Sequence, residues 1–298
     1  MSEHDRTDKF DEEAAVSRRA FGALSVGVGL AAVAAPARAA SAPPLTETDV
    51  AIKTPDGMCD AAYIRPATGA HAAVIIWPDA FGLRQSMRGM ARRLAADGYS
   101  VLVPNPFYRV AKAPVFPEPV KFDFTNPADT AKLGPLTGSI GAAGAAERDA
   151  VAFVAFLDAQ KDVDKAKKIG TQGYCMGGAL VVRTAAAVPD RIGAGGSFHG
   201  GNLVNDTPAS PHLMAPKIKA RMYFGIAGND DMRQPDQKTK LKEAFAAAHV
   251  PAEVEVYMSN HGWCVPDMPA AAGKPIYNMA EAERAWGKLV ALYKIGLA

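Results

Sequence analysis

The 298-residue chain has little cysteine, three residues in all. Three thiols cannot build the disulfide framework of a small secreted scaffold, so each has to be read from its own surroundings. Charge of one sign is also scarce: 33 Lys and Arg against 31 Asp and Glu leave a formal +2. With no Lys/Arg run and no aromatic platform, a nucleic-acid partner is not expected. Nowhere does the chain carry the ~20 consecutive apolar residues of a membrane-spanning helix. No His-Glu-x-x-His or Cys-x-x-Cys spacing occurs, and the other Asp, Glu and His residues are scattered. Neither a metal nor an organic cofactor is therefore expected.

What is present is the composition of a globular protein with one sizeable core, 49% hydrophobic and 21% charged. The N-terminus stands apart from it. Ser17-Arg18-Arg19-Ala20-Phe21 is a twin-arginine pattern, followed by a small, apolar stretch from Gly22 to Pro36 and a small-x-small site at Ala37-Arg38-Ala39. Residues 1–39 thus read as an export signal, handled by the twin-arginine machinery and then removed. The mature protein would be periplasmic or secreted, with no stable membrane association. A retained anchor is the alternative, but the stretch is short for a span and rich in Ala and Gly. Residues 40–49 read as a loose linker and 50–298 as the folded domain.

From Val50 onward, strand-like and helix-like segments alternate. Ala72–Trp77 is a continuous apolar run, the pattern of a strand buried on both faces. An amphipathic helix follows, with Leu83, Met87, Met90 and Leu94 on one stripe. Further strands are expected at 101–103, 168–172, 192–198, 221–226 and 252–258. Helices are expected at 147–157, at 179–187, around Leu241 and Phe245, and around Trp286 to Tyr293. Such alternation predicts a mostly parallel sheet with helices on both faces and its site in loops at the carboxyl ends of the strands. The proline-rich, aperiodic segment 104–141 is too long for a simple connection and is expected to fold over the site as a lid or wall.

Gly173-Tyr174-Cys175-Met176-Gly177 lies between a predicted strand and a predicted helix, the spacing of a nucleophile elbow with cysteine in place of serine. A sharp turn strains the nucleophile backbone and leaves room only for glycine two residues either side. The new helix start favours a negative sulfur. An inert cysteine in a glycine-rich turn is the bland alternative. An acid and a histidine should follow, each on a loop after a strand. Asp230, or its neighbour Asp231, and His261 stand in those places. Histidine can both take and return a proton near neutral pH, and the acid would hold its tautomer. The oxyanion donors are expected to be the backbone N–H groups of Met176 and of Ala80.

These motifs, with Gly178, the Gly228-Asn229-Asp230 turn, the His261-Gly262 pair and Asp79-Ala80-Phe81-Gly82, resemble the dienelactone hydrolase family (carboxymethylenebutenolidases) from about Val50 onward. The resemblance implies the α/β-hydrolase fold and cleavage of a small-molecule ester or lactone through a thioester on Cys175. It implies that Asp79, where the family usually has glutamate, helps switch the thiol between resting and reactive states. It also makes Arg109, beside Tyr108, a candidate partner for a substrate carboxylate. The second arginine that the family places after the histidine is absent from Gly262-Trp263-Cys264-Val265-Pro266-Asp267. Trp263 and His199 are expected in the pocket wall, a structural role for His199 being equally open.

Two other classes compete. Export would permit a Cys59–Cys264 disulfide, and a thiol redox or peroxide-sensing protein could use Cys264 as resolving thiol. A binding module without catalysis is the third reading. Neither explains Asp and His at the triad positions together with glycine at both 173 and 177.

Overall fold

The computed structural model describes residues 43–271 and 273–298. The expected signal at 1–39 lies outside the described residues. In chain order the elements are β1 (Leu45–Thr54), β2 (Gly57–Pro66), β3 (Ala73–Trp77), α1 (Gln85–Ala96), β4 (Ser100–Pro104), α2 (Pro127–Gly141), α3 (Ala145–Ala159) and β5 (Ile169–Tyr174). They continue with α4 (Met176–Ala187), β6 (Ile192–Phe198), β7 (Arg221–Ala227), α5 (Gly228–Arg233), α6 (Gln237–Ala247), β8 (Ala252–Tyr257) and α7 (Met279–Gly296). One eight-stranded sheet runs β1-β2-β4-β3-β5-β6-β7-β8. The β1–β2 and β2–β4 pairs are antiparallel and every pair from β4–β3 to β8 is parallel.

Every residue of β3 and β4 is buried, as the apolar runs Ala73–Trp77 and Val101–Val103 require of strands covered on both sides. One face packs on α1 and α7 through Met87, Ala91, Leu94, Ala285, Leu289 and Tyr293. The other packs on α3, α4 and α6 through Phe153, Leu180, Leu241 and Phe245. The helices present these residues at three- and four-residue spacing, so one stripe meets the sheet and the charged positions stay outside. No helix among the described residues is long and apolar enough to cross a membrane.

Two expectations need correction here. The linker was expected to reach residue 49, but β-strand begins at Leu45. Its outward residues are mostly polar because β1 is a sheet edge, and Glu47 pairs with Arg88 (2.9 Å) and Arg92 (2.7 Å) of α1. The segment 104–141 is not wholly irregular: α2 occupies its second half, with the Asn126 side chain accepting from the Ala128 N–H and Pro127 in the first turn. Only Leu136 and Ile140 of that helix are buried, so no apolar period announces it. The irregular first half carries Phe116, Phe122 and Phe124, which gather on Phe81 with ring centroids 5.5, 5.2 and 6.0 Å away. Phe81 follows Ala80 directly, so this segment leans on the loop that was expected to hold an oxyanion.

The Cys59–Cys264 disulfide is absent; both are free and buried. Cys59 lies in the core under α3, α4 and α6, and Cys264 in the core under α1 and α7, so the sheet separates them.

Candidate active site

β5 ends at Tyr174 and α4 begins at Met176, so Cys175 alone turns the chain. It does so at φ 53° and ψ −117°, a region that L-residues rarely occupy. A Cβ at Gly173 would collide with the Gly177 carbonyl. A Cβ at Gly177 would sit 2.7 Å from the Pro78 carbonyl oxygen and nearer still to that of Trp77. The bend therefore closes only with glycine at both places. Hydrogen bonds hold it: the Cys175 N–H donates to Phe198 O and to His199 Nδ1, both at 3.1 Å. Its carbonyl accepts from Gly178 N–H (3.0 Å) and Gly201 N–H (2.9 Å).

Asp230 and His261 arrive on neighbouring parallel strands, Asp230 in α5 after β7 and His261 in the loop after β8. The His261 N–H donates to Asn229 Oδ1 (2.8 Å), and its Nδ1 meets Asp230 Oδ2 at 2.6 Å. Asp231 turns instead to Lys238 (2.6 Å). The Cys175 sulfur lies near enough to the His261 ring to favour its charged form. Burial alone would lower the His261 pKa, but the Asp230 carboxylate and the Cys175 sulfur outweigh it and push the imidazole up to about 10. The N–H groups of Met176 and Ala80 donate to no group among the described residues. Gly177 against the Trp77 and Pro78 carbonyls brings their two segments into contact.

His199 is completely buried, with φ 39°. Because Nδ1 accepts the Cys175 N–H, the proton sits on Nε2, which finds no partner. Burial, with the positive charge of His261 added, pushes its pKa well below 6.5, so the ring stays neutral. It stands edge-to-face with His261 (4.7 Å) and with Trp263 (5.1 Å). Both expected wall residues therefore belong behind the site. Trp263 is fully buried and stacks on Tyr257 at 4.6 Å, because the loop after β8 folds its indole under the sheet edge.

Asp79 also departs from expectation. Its Oδ1 accepts from the Phe81 N–H (2.9 Å) and Arg84 Nη1 (2.8 Å), and its Oδ2 from Arg84 Nη2 (2.9 Å). Both oxygens are thus committed, and neither bonds Cys175. The same guanidinium donates to Asp267 twice at 2.8 Å. Two carboxylates need two donor edges, and the planar guanidinium provides them. Arg84 and Asp267 escaped the sequence reading because nothing local links residues so far apart. Arg109 is engaged likewise, by Asp56 (2.7 Å) and Asp149 (2.7 Å), and the Tyr108 hydroxyl also donates to Asp149 (2.8 Å). Where a substrate carboxylate was expected, two of the protein's own carboxylates sit.

The strand order, the single-residue turn after β5 and the histidine–aspartate pair after the last two strands define an α/β-hydrolase. Residues 59–295 match the model of the dienelactone hydrolase family, and the chain belongs to that family. It is 27% identical over 195 residues to a carboxymethylenebutenolidase of Rhodococcus opacus, covering 64% of this chain and 69% of that protein. Its fold is similar to that of a dienelactone hydrolase-like promiscuous phosphotriesterase from metagenomic libraries (TM-score 0.68, 22% identity, 85% of this chain and 99% of that one). It is also similar in fold to a dienelactone hydrolase from Anabaena variabilis (TM-score 0.57, 15% identity, with the same coverage).

Proposed function

We propose that this hydrolase cleaves small, neutral esters or lactones through a thioester on Cys175. The observation that carries the reading is the His261–Asp230 pair, 2.6 Å apart, beside the strained Cys175 whose sulfur favours charge on that imidazole. The sulfur attacks the carbonyl carbon as a thiolate, a C–S bond forms, and the oxyanion is held by the Met176 and Ala80 N–H groups. The intermediate collapses, the C–O bond breaks, and His261 Nε2–H protonates the leaving alkoxide. The same nitrogen then takes a proton from water, whose oxygen displaces the thiolate and releases the acid. Asp230 keeps the Nδ1 proton in place throughout. Neutral substrates are favoured because the one arginine expected to meet a carboxylate is held by Asp56 and Asp149.

The test is a panel of neutral and carboxylate-bearing aryl esters and lactones, with and without prior iodoacetamide. Expected are alkylator-sensitive turnover, a preference for the neutral members, and loss of ~10³ or more in kcat for Cys175→Ala. Turnover that survives alkylation refutes the reading, and peroxide consumption without ester cleavage would select the redox alternative. The Arg18-Arg19 pair supports a further proposal, twin-arginine export to the periplasm or beyond. Replacing both by lysine should leave the protein in the cytoplasmic fraction.

A further inference from the structure

One sizeable cavity among the described residues does not contain Cys175. It lies across the sheet, between α1 and α7, and measures about 700 Å³. Its floor is Tyr174 and Phe198, stacked at 5.6 Å with their planes 20° apart. Gly89 and Met90 of α1 and Trp286 of α7 form the sides, and the buried Cys264 thiol closes one end.

We propose that this cavity is a second ligand site, taking one neutral, largely aromatic molecule that acts on the catalytic loops from behind. The volume falls within the ~300–1,000 Å³ of small-molecule sites. The lining is mostly aromatic and aliphatic; of the charges at its edge, Glu118 accepts only the Gln85 N–H, and the others are paired. Arg93 holds Glu283 at 2.6 Å while lying over Trp286 at 4.1 Å, and Asp267 is held by Arg84. No free cation is left there for an anionic ligand. Ser86 also lines the cavity, and its buried hydroxyl lacks a partner that a ligand donor or acceptor could supply.

The position argues for regulation. Tyr174 directly precedes Cys175, and the Phe198 carbonyl accepts the Cys175 N–H. Cys264 follows His261 by one turn of the same loop, and Asp267 reaches Asp79 through Arg84. All three loops of the reactive site thus turn their backs to one space. A ligand that spreads the Tyr174–Phe198 floor also moves one of the two acceptors of the Cys175 N–H.

A Cβ at Gly89 would meet nothing within 4 Å, and Gly89 lines the cavity, so Gly89→Trp is chosen to fill it. Gly287 on α7 is equally unobstructed but does not line it, which makes Gly287→Trp the control. The probe is neutral N-phenyl-1-naphthylamine, titrated by fluorescence into the full enzyme with Cys175 free or alkylated. Expected is saturable binding of one probe per chain, unchanged by alkylation and by Gly287→Trp, and weakened at least tenfold by Gly89→Trp. Saturating probe should also change the rate of Cys175 alkylation at least twofold in wild type and not in Gly89→Trp. Neither readout needs ester turnover, so failure here is separate from failure of the proposed reaction. Unsaturable binding, equal affinity in Gly89→Trp, or loss on Cys175 alkylation would overturn the site. So would a dimer in sedimentation equilibrium that Gly89→Trp abolishes, because a second copy would then be the occupant. An unchanged alkylation rate at saturation would overturn the regulatory role.

Discussion

Gly177→Ala tests whether the start of α4 and the loop after β3 together form the oxyanion site. The added methyl would sit 2.7 Å from the Pro78 carbonyl oxygen, where 3.4 Å begins ordinary contact, and it lies closer still to Trp77 O. Both neighbours are backbone, so neither can swing aside, and the two segments must separate by about 1 Å. A displacement of that size at a reacting centre costs ~10²-fold, and losing one oxyanion donor outright costs ~10²–10³. At ~1.36 kcal/mol per factor of ten, the barrier should rise by about 3–4 kcal/mol. Overpacking should lower the folding stability by about 1–3 kcal/mol, which leaves a folded protein to assay. The measurement is kcat and KM on an activated aryl ester beside a urea titration. The loss should fall on kcat, because the N–H groups act on charge that develops only in the transition state. A folded Gly177→Ala enzyme with kcat within threefold of wild type would refute the reasoning.

Other perturbations bear on the same geometry. Asp230→Asn removes the strongest support for charge on His261, so histidine NMR should show the imidazole titrating far below the wild-type value of about 10, with kcat down ~10²–10⁴-fold. The folded-state pKa lies above the ordinary 6.5, so this group's stabilisation is complete below pH ~6.5 and is lost as pH rises through about 10. Wild type should therefore lose stability over that window more than Asp230→Asn does; equal losses in urea titrations would count against the assignment. Arg84→Met strands two carboxylates, one of them almost fully buried, and should cost about 3–5 kcal/mol in denaturant titration, partly recovered by adding Asp79→Asn. His199→Phe keeps a ring against His261 but removes one of the two acceptors of the Cys175 N–H and the orphan Nε2–H. Stability should hold or rise while kcat falls, and a variant with wild-type kcat would show that the acceptor is idle.

The parts of this protein that could be read from sequence are those fixed by local pattern. β3 and Val101–Val103 of β4 are continuous apolar runs because both faces are covered, and Gly173-Tyr174-Cys175-Met176-Gly177 is legible because one bend dictates glycine at two offsets. The β1–β2 hairpin was missed although Thr54-Pro55-Asp56-Gly57 is a strong turn signal. Its outer strand alternates weakly, since an edge strand buries little. The partners of Asp79, Arg109 and Trp263 were not foreseen for a different reason. Each depends on a partner brought close only by the fold: Asp267 to Arg84, Asp149 to Arg109, Tyr257 and His199 to Trp263. A residue type can announce what it is able to bind, but tertiary contacts decide whether that capacity is already used.

The phenylalanine cluster over Phe81 ties the segment carrying Phe116 and Phe122 mechanically to the loop proposed to polarise the substrate carbonyl. A bulky acyl group that wedges Phe116 and Phe122 outward would drag Phe81, and with it the adjoining Ala80 N–H, away from the carbonyl it should polarise. Size discrimination would then appear as slower acylation rather than weaker association, so enlarging the entrance without re-anchoring Phe81 should admit larger esters yet turn them over poorly.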